Sequence, residues 1–279
     1  MSAPAPSSGT PAPAGGSAAV GDSTASPLLR ARELTLRFGG VQALNEVSFD
    51  VREGELFAII GPNGAGKTSI FNCLNGVYHP QEGSLRLGDT ELIGLRPRRI
   101  AELGVARTFQ NLGLFTNLDI VDNLMLGRHI RMRAGFISAA LWWGRALREE
   151  VSHRASVEEI IDLLELGLHR RKPVGMLPYG IQKRIELGRA LAMEPKLLLL
   201  DEPVAGMSLE ETEDMARYII EIRDKLDIAI VLVEHDMHMV MDLADRVMAL
   251  DFGSMLATGT PDEVQQDQRV IDAYLGRAS

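Results

Sequence analysis

Three short stretches bring together residue types that can handle a polyphosphate. The first, GPNGAGKT at 61–68, has the spacing G-x-x-x-x-G-K-[ST]. Its glycines let successive backbone N–H groups curl around phosphate oxygens, and a helix start directly behind them favours anions. Lys67 is placed to bridge the outer phosphates, and the Thr68 hydroxyl to ligate Mg2+. The plainer reading is a Gly-rich turn with an incidental lysine, but an apolar strand pattern before it and a helical one after it argue against that. The second stretch is LLLLDEP at 197–203. Ligands in open α/β sheets lie at the carboxyl ends of strands, which puts Asp201 near a Mg2+ shell and Glu202 where it can polarise a water for in-line attack. A solubility break after a buried strand is the bland alternative. The third is His235 in IVLVEHD, which also follows an apolar run and would reach the same end of the sheet. Alone, it would more often be structural.

A fourth stretch, LPYGIQKR at 177–184, starts a helix that runs toward KLLLLDEP. Proline suits a first helical turn. The free amides of Tyr179, Gly180, Ile181 and Gln182 then lie at a helix N-terminus, where the dipole favours a phosphate. A purely structural helix start is the alternative.

These residues need strands and helices to aim them. LLRARELTLRF and VSFDVREG alternate like half-exposed strands and predict a small antiparallel sheet. ELFAII, KLLLL (196–200) and IAIVLV (228–233) are short apolar runs that read as strands buried on both faces. TSIFNCLNGV reads as a helix after the first of them. LEETEDMARYIIEIRDKL (209–226) is an amphipathic helix between the other two, which makes a βαβ unit. Residues 111–175 are strand-poor, with helical patterns such as SVEEIIDLLELGL, and TGTPDEVQQDQRVIDAYLG carries a Thr-Pro helix start. Ser208 and Glu211 make an S-x-x-E capping box ahead of 209–226, with an interface contact as the second reading of Ser208.

Composition narrows the class. The chain has 279 residues, 46% hydrophobic and 24% charged, which is enough to bury a core without staples. The single cysteine, Cys73, precludes an internal disulfide and is expected to be a packed core thiol. A net charge of −9 argues against bulk nucleic-acid binding. No apolar run approaches the roughly 18–20 residues needed to span a bilayer, so any membrane role must come through a separate subunit. Residues 1–27 are Ala/Pro/Ser/Gly-rich and expected to be a disordered tail rather than a signal peptide. The insert 128–154 holds Arg128, Arg131, Arg133, Trp142 and Trp143. It reads as a solvated basic face beside an aromatic pair, or as an edge that meets a membrane subunit or lipid headgroups.

Together the motifs resemble the ATP-binding subunits of ABC transporters over essentially all of 28–279. An aromatic (Phe38) precedes the phosphate loop, Gly61, Pro62, Asn63, Gly64, Ala65, Gly66, Lys67, Thr68 and Ser69. Gln110 follows in RTFQN, then LPYG, the Asp-Glu pair and the histidine. The resemblance implies an α/β P-loop NTPase fold. Its parts would be a mainly parallel core sheet, an N-terminal antiparallel β-subdomain and a helical subdomain inserted over roughly 111–190. It further implies that Phe38 stacks on adenine and that Gln110 senses Mg2+ and the membrane subunit. His235 would contact the γ-phosphate, while Glu202 acts as base, with Lys67 on the phosphates. ATP and Mg2+ are the implied cofactors, the metal shared by Thr68, Gln110 and Asp201. Phe38, in parity with Leu34 and Leu36, has a core strand aromatic as its competing reading, and Gln110 a polar loop residue.

The wording FGGVQAL, RTFQNLGLF, LPYG, DEPVAGM and GTPDEVQQDQRVIDAYLG is similar to the ATPase subunits of branched-chain amino acid importers, and related ATPases for amides, urea or lipopolysaccharide share much of it. The implied partners are a second ABC ATPase, identical or not, two membrane permeases and, indirectly, a solute-binding protein, with no nucleic acid. The implied place is the cytoplasmic face of the inner or plasma membrane, held peripherally. In most of the family the signature reads L-S-G-G-Q and completes the ATP site of the opposing subunit, so Tyr179 and Gly180 are the implied contacts. Here Pro178, Tyr179 and Ile181 replace Ser, Gly and Gln, and losing the hydroxyl removes a charge-assisted bond of roughly 1.5–3 kcal/mol. The rival reading is a soluble ABC-type ATPase acting on ribosomes or DNA. A single ATPase unit without heptads argues against it.

Overall fold

The computed structural model describes residues 27–108, 113–130 and 143–275. The expected tail, Gln110, Arg131, Arg133, Trp142 and the Trp143 side chain lie outside the described residues. Among the described residues, two sheets carry the fold. The first is antiparallel, in the order β2-β1-β4-β5, with β1 Leu29–Phe38, β2 Val41–Val51, β4 Glu82–Leu87 and β5 Thr90–Glu91. The second has the order β10-β9-β3-β8-β7-β6, with β3 Leu56–Ile60, β6 Val105–Arg107, β7 Leu197–Asp201, β8 Ala229–Val233, β9 Arg246–Asp251 and β10 Ser254–Gly259. Its five strands β9 to β6 run parallel, and β10 returns antiparallel on β9. This is an α/β fold with a mainly parallel core sheet beside an antiparallel one.

The apolar runs are continuous because both faces of the parallel sheet are covered. Leu56, Ala58 and Ile60 of β3 face one core, which includes Ile185, Met215, Ile219 and Val240. Phe57 and Ile59 face the other, shared with Ile70, Phe71, Cys73 and Leu74 of α1 (Lys67–Leu74) and with the antiparallel sheet. Each buried Leu, Ile, Val, Met or Phe side chain there contributes about 1.5–3 kcal/mol relative to exposure. Strand rigidity at the carboxyl ends of β3, β7 and β8 therefore comes from burial on two sides.

Helix α2 (Pro97–Glu102) precedes β6. Between β6 and β7 lie α3 (Ile120–Arg128), α4 (Trp143–Leu163), two short 3-10 turns, Gly167–His169 and Val174–Met176, and α5 (Tyr179–Leu191). Helix α3 packs on both α4 and α5. Arg128 belongs to no solvated basic face: it is buried, donating to His153 Nδ1 at 3.1 Å, to the Ala192 carbonyl at 3.3 Å and to Glu194 Oε1 at 2.5 Å. A buried guanidinium needs that many acceptors to offset its lost hydration, and it ties α3 to α4 and to the turn after α5.

Helix α6 spans Leu209–Leu226, as the sequence pattern predicts, and starts with the expected capping box. Ser208 accepts from the Glu211 amide, and Glu211 Oε2 accepts from the Ser208 amide at 2.9 Å. Helix α7 is Met237–Leu243. Helix α8 (Pro261–Gln266) begins with a Thr260–Glu263 capping box and Pro261 at its first position, and α9 (Gln268–Leu275) closes the described chain.

Candidate active site

The phosphate loop joins β3 to α1. Gly61, Gly64 and Gly66 have φ of 150°, 83° and 107°. A Cβ on Gly61 would stand 2.2 Å from the Leu250 carbonyl, so the loop can run this close to β9 only with glycine there. Gly66 caps α1 in the left-handed region with no side chain on the first-turn amides, which leaves them open to an anion. The turn after β9 braces the loop from outside, as the Gly253 amide donates to the Ala65 carbonyl at 2.9 Å. Lys67 is buried and folded back, its Nζ donating to the carbonyls of Gly61 at 2.6 Å and Pro62 at 3.2 Å. Burial pushes its ammonium below the ordinary lysine range, and the charges of Glu202 and Asp201 oppose that shift.

At the carboxyl end of β7, Asp201 is buried and Glu202 turns out of the strand with φ 48°, a left-handed conformation that costs a non-glycine residue free energy. That turn is held by the Glu202 amide, which donates to the Val233 carbonyl of β8 at 2.9 Å. It carries the Glu202 carboxylate to His235, whose Nε2 lies 2.9 Å from Glu202 Oε1. Asn63 to Ser69, Glu202 and His235 line a single cleft of about 370 Å3, together with Val41, Gln42, Ala43 and Phe252. Three separate sequence motifs thus meet at one place.

Residues that sequence reasoning passed over complete the surroundings. Arg107, at the end of the three-residue edge strand β6, donates to Asp201 Oδ2 at 2.6 Å and to Asn72 Oδ1 of α1 at 2.7 Å. The Asp201 amide faces Thr108 Oγ1 at 3.3 Å. Phe252, with φ 42°, reaches the cleft from the turn after β9. An arginine ending an apolar strand was the available signal for Arg107. For Phe252 the signal was an Asp-Phe-Gly turn after another such strand.

Phe38 is half exposed (46%) and meets Tyr78 edge-to-face, ring centroids 4.9 Å apart. The core-aromatic alternative is therefore wrong. Leu34 and Leu36 are buried, but register shifts along β1, including one between Leu36 and Arg37, break the alternation. Phe38 does not line the cleft. It stands beside it, paired in the hairpin with Val41, which does.

Tyr179 and Gly180 are not brought to this cleft. Helix α5 starts at Tyr179 with Pro178 as its cap, and the Gln182 amide already bonds to the Pro178 carbonyl at 3.0 Å. Only the amides of Tyr179, Gly180 and Ile181 precede the helical ladder, so Gln182 leaves the expected set. The Glu211 carboxylate lies against Gly180 and draws a hydrogen bond from its amide. The Tyr179 hydroxyl donates to the Ala205 carbonyl at 3.2 Å, tying the helix start to the loop after Glu202. Ile181, unexplained as a sequence departure, packs half-buried against the larger core.

A strand–loop–helix phosphate cradle with an acid pair and a histidine at adjoining strand ends defines a nucleotide-binding ATPase site. Comparison with known proteins agrees: the model of the ABC transporter family matches residues 44–205, and the chain belongs to that family as an ATP-binding ATPase. A second family model, described as branched-chain amino acid ATP-binding cassette transporter, matches residues 254–279. Among relatives, the chain is similar to the high-affinity branched-chain amino acid transport ATP-binding protein LivG of Salmonella typhimurium. The two are 42% identical over 255 residues, covering 90% of this chain and 99% of that one. The corresponding BraF protein of Pseudomonas aeruginosa is 39% identical over 255 residues, with 90% and 99% covered. Among solved structures, the ADP conformation of MJ1267, an ATP-binding cassette of an ABC transporter, superposes with a TM-score of 0.79. It is 27% identical, with 91% of this chain and 100% of that chain covered.

Proposed function

We propose that this chain is the ATP-hydrolysing subunit of an importer for branched-chain amino acids. The reading is carried by the meeting of Lys67, Glu202 and His235 at one cleft, with Glu202 Oε1 2.9 Å from His235 Nε2. The match at 254–279 and the likeness to LivG and BraF support the solute class. Lys67 and the amides of Gly64 to Ser69 hold the phosphates, and Phe38 at the cleft edge takes the adenine. Glu202 accepts a proton from the attacking water, which becomes bonded to the γ-phosphorus as the bond to the β-phosphate oxygen breaks. His235 fixes the Glu202 carboxylate and contacts the γ-phosphate.

A hydroxyl (Thr68) at the cleft and a buried carboxylate (Asp201) beside it are hard oxygen donors of the kind Mg2+ takes alongside nucleotide phosphates. With Gln110 they would hold that ion. When bound, it supplies charge neutralisation of the β- and γ-phosphate oxygens. Residues 28–279 act as one ATPase domain, with the helical part at roughly 111–190 facing two membrane permeases. No helix among the described residues is long and apolar enough to cross a membrane. The likeness to the transport ATP-binding proteins LivG and BraF supports a subunit docked peripherally on the cytoplasmic side. It pairs with a second ATPase, to whose site Tyr179 and Gly180 are presented.

The test is Glu202→Gln in the purified ATPase–permease complex. ATP binding is retained, while phosphate release and leucine uptake into vesicles fall to background. Wild-type turnover in that variant would overturn the assignment.

A further inference from the structure

Glu234 is buried (4% exposed) at the carboxyl end of β8, between an apolar strand and His235. Its carboxylate does not line the cleft. Oε1 accepts from the Val204 amide at 3.1 Å and Oε2 from the His235 amide at 2.9 Å, and the Asp236 amide adds a third bond. Val204 stands two residues beyond Glu202, on the loop that leaves β7. Regular pairing of β7 with β8 ends at Asp201 and Val233, followed by one more bond from the Glu202 amide. Past that point Glu234 joins the two loops through their backbone amides, beside the side-chain contact of Glu202 with His235.

Burial pushes its carboxyl above the usual range, with the nearby Glu202 charge adding to the shift and the three amides opposing it. A carboxylate kept in so dry a place is costly, and an apolar residue would fill the same space more cheaply. We propose that Glu234 is a positioning residue for hydrolysis: by clamping the loops of Glu202 and His235 together, it sets the contact between those two side chains. This rests on the reading of Glu202 and His235 as the hydrolytic pair. The geometry needs two acceptor oxygens at full glutamate length. Glutamine offers one and turns an NH2 toward an amide donor, and aspartate is a methylene too short to reach both loops.

The experiment uses the purified ATPase–permease complex with MgATP and compares wild type, Glu234→Gln and Glu234→Asp by steady-state hydrolysis, equilibrium ATP binding and thermal melting. The expected result is a kcat at least tenfold lower in both variants, with KM for ATP and the ATP Kd within threefold of wild type. If the glutamine variant fails to fold, the aspartate variant is decisive by the same split. A kcat within threefold of wild type in a folded variant would overturn the proposal, as would a loss of ATP binding that accounts for the fall in rate. A wild-type complex that binds ATP without hydrolysing it would overturn the ATPase reading, and this inference with it.

Discussion

Asp201 sits inside a buried strand end, and Arg107 donates to its Oδ2 at 2.6 Å. Because the pair is desolvated, truncating one partner strands the other. Arg107→Met is expected to lower unfolding free energy by about 3–5 kcal/mol, read from urea denaturation; an unchanged midpoint would show that Asp201 has another counter-charge. The contact spans 94 residues of sequence, and no local pattern announces such a pair. The phosphate loop, by contrast, was legible because its glycines, lysine and threonine occupy eight consecutive positions. Cys73 was also legible, since its helical neighbours are apolar. Burial pushes its thiol up to about 12. Native protein at pH 8 should therefore resist maleimide labelling, while urea-unfolded protein labels fully. Rapid labelling of the native chain would contradict the burial.

Among the elements, α6 was predicted with both ends in place because an amphipathic period and a capping box agree. Ser208→Ala removes the hydroxyl that accepts from the Glu211 amide, and should cost about 1 kcal/mol, within a range of 0.5–2, measured as a shift of the denaturation midpoint at constant m-value. Phe38 was only half legible. Strand parity says which face a residue takes, but the shifts along β1 depend on which strands pair with it. Gln182 was misjudged for a similar reason: which amides a helix start leaves open depends on the residue that caps it. At β3, the close approach to Leu250 makes Gly61 irreplaceable. Gly61→Ala should be destabilising by several kcal/mol or fail to accumulate as folded protein, since the Cβ meets backbone rather than a movable side chain.

For the molecule as a whole, the two cores flank a sheet in which β3, β7, β8 and β9 deliver the residues that follow them to one cleft. That architecture followed from the alternation of short apolar runs with helical patterns. The six-strand order did not, because the edge strand β6 has three residues and β9 and β10 carry no motif. Nucleotide binding to this cleft should stabilise the entire fold. At ATP one hundred times its Kd the gain is about 2.7 kcal/mol, a rise in melting temperature of roughly 5–10 °C for a chain of this size. Lys67→Ala should abolish most of that rise, and an undiminished shift in the variant would remove Lys67 from the phosphate contacts.

The folded-back Lys67 also bears on how that binding energy is divided. Its ammonium already rests on the Gly61 and Pro62 carbonyls, so taking up a polyphosphate is a change of partners for an ordered cation. The rotamer entropy of a lysine, about 2 kcal/mol, is then surrendered when the chain folds. Nucleotide binding is spared that cost, and the loop meets its ligand with the charge already in place.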